Sequence, residues 1–111
     1  MTILHTLSIG ELSQGLGRAE FSSVELTQHF LARFERLNPN LNAVITPTAE
    51  QALADAAAAD RRLKSGDRAP LLGIPLIHKD IFCTDGVRTS CGSRMLDNFI
   101  APYDATVVTR L

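Results

Sequence analysis

Apolar and polar positions in the first sixty residues recur with the period of a helix. Ser8 with Glu11 and Ser22 with Glu25 are both S-x-x-E pairs, the spacing at which a serine hydroxyl and a glutamate carboxylate satisfy unpaired amides at a helix start. Helices are predicted to begin near residues 9 and 23. In the second, Leu26, Phe30, Leu31, Phe34 and Leu37 fall on one face, which is a packing stripe. Asn38-Pro39-Asn40 is expected to end that helix, because proline cannot continue the hydrogen-bond ladder. Leu41 to Ile45 reads as a short strand closed by Pro47. Thr48 then opens an alanine-rich helix that runs to about Lys64 and stops at Gly66. Ala52, Ala56, Ala59 and Leu63 share a face; small side chains there would admit a close neighbour, but alanine's helix propensity alone accounts for the composition, and that is the reading adopted.

From Pro70 the pattern becomes extended. Leu71 to Phe82 is nearly continuous in apolar residues, is entered through Gly73 and Pro75, and is followed by Thr84-Asp85-Gly86. This predicts a largely buried strand and then a turn. A last helix is expected from Asp104 as N-cap through Leu111. It carries no C-terminal cap, so the sequence is read as truncated.

Composition narrows the function classes. The 111 residues hold 11 Lys and Arg against 12 Asp and Glu, a net charge of −1, which provides no long-range attraction to a phosphate backbone or an anionic membrane. The start has no basic n-region, and no window is apolar enough for a membrane span. A cytoplasmic protein is expected, with Cys83 and Cys91 reduced. His78, Cys83 and Cys91 lack the spacing of a structural zinc site, so no metal is assigned; His5 and His29 carry no signal.

The chemistry centres on Lys79. In a strand it shares a face with Ile77 and Ile81, while His78 and Asp80 point the other way. Aliphatic neighbours disfavour an ammonium, and a lysine buried among them, its amine directed toward a cavity, can serve as a general base near neutral pH. A lysine on an edge strand also serves as a solvated guard against pairing, and the residues alone leave both roles open. His78 is read as a packed or hydrogen-bonded strand residue and Asp80 as an anchor for the following turn.

Gly73-Ile74-Pro75, Lys79-Asp80, Gly86, Thr89, Gly92-Ser93, Asp104-Ala105, Val108 and Leu111 together resemble the opening segment of the amidase-signature family in residue type and spacing. The resemblance extends to the helix pair, Leu41-Asn42-Ala43 and the alanine-rich helix. Phe82-Cys83-Thr84, Thr89 to Ser93, Met95-Leu96, Asn98-Phe99 and Pro102 to Thr106 are similar, within that family, to the glutaminase subunits of tRNA-dependent amidotransferases.

That resemblance implies an α/β fold, a mixed central sheet flanked by helices, of which residues 1–111 are the N-terminal portion of a single domain: helical over 1–66, strand and loop over 70–103, and the start of a further helix over 104–111. It implies a Ser-cisSer-Lys triad in which Lys79 is the catalytic lysine. The two serines lie in a Gly/Ser-rich signature farther along in family members. Gly92-Ser93 matches a different part of the pattern, so neither Ser90 nor Ser93 is assigned to catalysis, and both are expected in a turn. The implied activity is glutamine hydrolysis, the ammonia passing to partner subunits B and C for amidation of mischarged Glu-tRNA(Gln). No cofactor is expected in this chain, and ATP and magnesium belong to the partner. The rival readings are a free-standing amidase of small amides with the same triad, and a non-catalytic interaction domain.

Overall fold

A computed structural model describes residues 3–111. The chain divides into two compact units: one takes in the chain up to Ala43 together with Thr48–Leu76, the other Val44–Pro47 with Ile77–Leu111.

The first unit is helical. A 3₁₀ turn at Leu4–Thr6 precedes α1 (Ile9–Gly17), α2 (Ser23–Leu41) and α3 (Ala49–Lys64). Both capping boxes form as the spacing predicts: the Ser8 hydroxyl accepts from the Glu11 amide and the Ser22 hydroxyl from the Glu25 amide, each glutamate returning the bond. At α2 the remaining two orphan amides are also satisfied, from another helix. Asp60 of α3 accepts the Ser23 amide at 2.7 Å and the Val24 amide at 3.2 Å. All four donors at this helix start therefore have acceptors, and the carboxylate favours the positive end of the helix dipole.

Leu12, Leu16 and Leu26 form the buried core, with Leu4, Leu7, Phe21, Phe30, Leu63 and Ile74 packed against it. The predicted stripe contributes to it unevenly: Leu26 is fully buried and Phe30 packs on the cluster. α2 packs on α3, and Ala56 and Ala59 are buried. The small-residue face is therefore a packing surface as well as a consequence of propensity.

Two boundaries differ from expectation. α2 does not stop at Asn38-Pro39-Asn40; Pro39 lies inside it and the helix continues to Leu41. It ends where Asn42 turns left-handed (φ 48°, ψ 42°), a conformation asparagine tolerates better than most residues. The Asn38 carboxamide accepts the Ala43 amide and closes the end. That turn replaces the strand expected over Leu41 to Ile45.

After α3, Arg68 bonds the carbonyl of Leu63 at 2.9 Å and that of Gly17 at 3.2 Å, capping the ends of α3 and α1 with one guanidinium. Gly73, at φ +82°, follows. Its carbonyl accepts from the Ser23 hydroxyl at 2.8 Å, and a Cβ there would stand 3.2 Å from Ser23 and 3.3 Å from Leu16. Only glycine meets both the backbone angle and the close approach.

The second unit contains a 3₁₀ turn at Arg94–Leu96 and α4 (Thr106–Arg110). No strand is present among the described residues, so the expected mixed central sheet is not seen. The segment from Pro70 to Phe82 is turns and irregular chain and makes no ladder, because no other described segment offers it a row of backbone partners. The one antiparallel bridge among the described residues, Arg88 with Ile100, lies later in the chain. It is flanked by the Thr89 amide on the Phe99 carbonyl (3.0 Å) and the Ala101 amide on the Val87 carbonyl (3.1 Å). α4 is capped by Ala105 rather than Asp104. The Asp104 carboxylate instead accepts the Asp85 amide at 2.7 Å, and the Ala105 amide donates to the Cys83 carbonyl at 2.8 Å.

Replacing Asp60 by alanine leaves the part-buried amides of Ser23 and Val24 without acceptors. The expected loss is about 2–3 kcal/mol of unfolding free energy, with Asp60→Asn intermediate; a denaturant melt of Asp60→Ala matching the wild type would show that the clasp contributes nothing. The half-buried His5 and His29 rings stack, with Nδ1 of one 3.0 Å from Nε2 of the other. Burial first, then the charges of Arg33, His29 and Arg36, hold the His5 pKa below the ordinary imidazole value. A depressed folded-state value means the contact is complete above the ordinary imidazole pKa and fades as pH falls through the lower one. NMR titration of the imidazole nitrogens should place His5 below an exposed histidine.

Candidate active-site segment around Lys79

Exposure alternates along 77–82: Ile77, Lys79 and Ile81 are exposed, His78, Asp80 and Phe82 half-buried. The period of two expected from the sequence is therefore present, and Lys79 does share a side with Ile77 and Ile81. The direction is inverted. In place of a lysine largely buried on a strand with its amine in a cavity, Lys79 is exposed and lies on no strand, and it is not among the lining residues of two surface pockets, one beside Arg68 and one beside Pro39. The physical reason is the missing ladder. Without paired strands or a covering layer, the polar groups at 78 and 80 take the hydrogen bonds available inside the unit, and the aliphatic row is left facing out, Ile77 at 76% exposure.

Both inward residues are bonded. His78 Nε2 lies 3.2 Å from the Thr84 hydroxyl, and its ring tilts against Phe82; its Nδ1 is buried without a partner among the described residues. Asp80 reaches ten residues along the chain rather than into the following turn. Its two carboxylate oxygens each lie 3.1 Å from the Ser90 amide, and one also accepts the Ser90 hydroxyl. The Asp80 carbonyl accepts the Cys91 amide at 2.9 Å. The turn after Lys79 is closed by the Phe82 amide on the Lys79 carbonyl at 3.1 Å.

The two serines do occupy turns. Ser90, 2% exposed, gives its hydroxyl proton to Asp80 and accepts the Gly92 amide at 3.3 Å. Ser93 caps the Arg94–Leu96 turn by accepting the Met95 amide. No hydrogen bond or ion pair joins the Lys79 amine to another described residue. Arg88 pairs with Asp97 through its guanidinium and closes the loop between them. Among the described residues no group of three or more His, Cys, Asp or Glu could hold a metal ion, and no helix is long and apolar enough to cross a membrane.

The Asp80–Ser90 clasp is not visible in the sequence. An aspartate and a serine ten residues apart follow no helical or strand period, and the only local hint is the Ser90-Cys91-Gly92 run. Cys91 has φ +53° and Gly92 φ +67°, a left-handed pair that sends the Cys91 amide to the Asp80 carbonyl and the Gly92 amide to the Ser90 hydroxyl.

The Amidase family model matches residues 25–111, and the chain belongs to that family. Among curated relatives, the A subunit of the glutamyl-tRNA(Gln) amidotransferase of Alkalilimnicola ehrlichii is 64% identical over 108 residues, 97% of this chain and 22% of its own length. That of Saccharophagus degradans is 64% identical over 106 residues (96% and 22%), and that of Acinetobacter baumannii ATCC 17978 is 58% identical over 110 (99% and 22%). The chain thus spans 22% of the length of these relatives. A solved structure, described as the inhibitor-bound form of a vestigial protein complex that reveals the evolutionary origins of an s-triazine catabolic enzyme, superposes with a TM-score of 0.86 at 30% identity, over 94% of this chain and 23% of its own.

Accessibility gives a direct check. The chain has two lysines, Lys64 and Lys79, both exposed, and reductive methylation should modify them at comparable rates; a protected Lys79 would contradict its placement. Thiol titration under native conditions should find the exposed Cys91 reacting faster than the half-buried Cys83.

Proposed function

We propose that this chain is the lysine-bearing segment of the glutaminase subunit of a tRNA-dependent amidotransferase, with Lys79 as general base. The observation that carries the reading is 58–64% identity to the A subunits of glutamyl-tRNA(Gln) amidotransferases along 96–99% of the chain.

In this reading Lys79 takes a proton from a bridging serine, which takes one from the nucleophilic serine. That oxygen attacks the amide carbon of glutamine, the proton held by the lysine passes back through the bridging serine to the amide nitrogen, which leaves as ammonia, and water then frees glutamate from the acyl-enzyme. Ammonia passes to subunits B and C, where ATP and magnesium serve the amidation of Glu-tRNA(Gln). The serines are those of the Gly/Ser-rich signature elsewhere in family members.

The surface of the second unit supports a covered setting. Ile77, Ile81, Ile100, Tyr103 and Val107 are exposed and Met95 is 91% exposed, while its buried residues include Thr89, Ser90 and the small Ala101. A unit with polar groups inside and large apolar groups outside has a surface suited to being buried against other polypeptide. In a family-length protein that polypeptide supplies the rest of the α/β domain, and Lys79 lies on the covered side between Ile77 and Ile81.

The test grafts these 111 residues in place of the matching 22% of the Alkalilimnicola ehrlichii protein, assembles it with its partner subunits and measures ammonia release from glutamine. Lys79→Ala should cut the rate roughly 10³-fold or more. Lys79→Arg should fail as badly, because a guanidinium stays protonated and accepts no proton. The 111-residue chain alone should release no ammonia. Graft-like rates in either variant would refute the assignment.

A further inference from the structure

We propose that Asp80 is a positioning residue for Lys79, fixing the lysine's backbone by clasping the Ser90–Cys91 strip from two sides; this rests on the reading of Lys79 as the base. A lysine has a long flexible stem, so the only part of it that a scaffold can hold in advance is its Cα and the peptide on either side. Here the peptide that follows Lys79 is held at successive points. The Lys79 carbonyl accepts the Phe82 amide, the Asp80 carboxylate accepts the Ser90 amide and hydroxyl, and the Asp80 carbonyl accepts the Cys91 amide.

The partner strip is itself costly to form. Cys91 is a non-glycine residue in the left-handed region, a conformation that persists where surrounding bonds over-determine it. The bonds that do so here include those to Asp80, reinforced by the Gly92 amide on the Ser90 hydroxyl. Ser90 is 2% exposed, so releasing its amide and hydroxyl from the carboxylate would leave buried polar groups unpaired.

Two alternatives for Asp80 are disfavoured by geometry. As a charge partner of Lys79 it would need an ion pair, and none joins them; both carboxylate oxygens already face Ser90. As an anchor of the immediately following turn it would bond residues 82–84, whereas its acceptors are taken by residues 90 and 91.

The experiment uses the grafted protein described above, assembled with its partners. Asp80→Asn should lower kcat by about 10- to 100-fold with KM for glutamine nearly unchanged, the signature of a displaced catalytic group rather than lost substrate binding. Ser90→Ala, which keeps the amide bonds, should lower kcat less and in the same sense. The deciding readout is the double variant: Lys79→Ala/Asp80→Asn should be no slower than Lys79→Ala, since a residue acting only through Lys79 has nothing left to position. A merely structural aspartate would instead multiply the two losses. If Asp80→Asn fails to assemble, Ser90→Ala with and without Lys79→Ala decides by the same criterion. Wild-type kcat in Asp80→Asn, or multiplicative losses in the double variant, would overturn the clasp while an inactive Lys79→Ala leaves the base assignment standing. An active Lys79→Ala would remove that assignment, and the clasp's catalytic role with it.

Discussion

The carboxylate of Asp60 on the first amides of α2 is the interaction on which the first unit depends. A 19-residue helix must satisfy four amides at its start, and here a local device and a distant one divide them. Ser22 and Glu25 close two within the same turn; Asp60, 36 and 37 residues away, closes the other two. Because Asp60 sits one turn of α3 beyond Ala56 and next to Ala59, the bond forms only where the alanine face lies close against α2. The packing and the cap therefore require each other. Ser23 adds a third link, giving its hydroxyl to Gly73 from the position at which its amide meets Asp60, and so fixes the chain that returns after α3.

The second unit is organised on a different principle. Among the described residues it has no cluster of large buried apolar side chains; its long-range links include the pairs 46 with 88, 80 with 90–91, 83 with 105, 85 with 104, and 86–89 with 99–101. Hydrogen bonds exchanged against water contribute about 1 kcal/mol each, so such a network defines a shape without supplying the driving force of a core. The apolar residues that could supply it, among them Ile77, Ile81 and Met95, face outward.

What the sequence makes legible follows the range of the interactions. Ser8–Glu11 and Ser22–Glu25 are three-residue devices, and both helices start where they predict. Pro39 reads as a stop because its ring opposes a continuing ladder, but the last turn of a helix tolerates a missing donor when Asn38 and Asn42 close the end through a side chain and a left-handed backbone. The strand expected at 70–82 rests on a run of apolar residues that is real; a strand also needs a neighbour, which no property of the run itself provides. Lys79, matched by its place in the family pattern, is legible as a residue of interest, whereas its exposure and the Asp80–Ser90 bond are not, since both depend on what other segments do.

The inverted face at 77–81 reconciles the aliphatic run with the exposed lysine. Covering Ile77 and Ile81, exposed by 76% and 49%, would contribute roughly 2–4 kcal/mol from these two side chains. The same covering layer would strip water from the amine between them. An unpaired ammonium resists that transfer by several kcal/mol, whereas a neutral amine offering a hydrogen bond to a hydroxyl does so far less. A layer that covers the Ile-x-Lys-x-Ile row must therefore bring a hydrogen-bond partner for the amine at its centre as well as apolar surface for the two isoleucines. Asp80 is not that partner: it points to the other side of the chain, where its carboxylate accepts the Ser90 amide and hydroxyl.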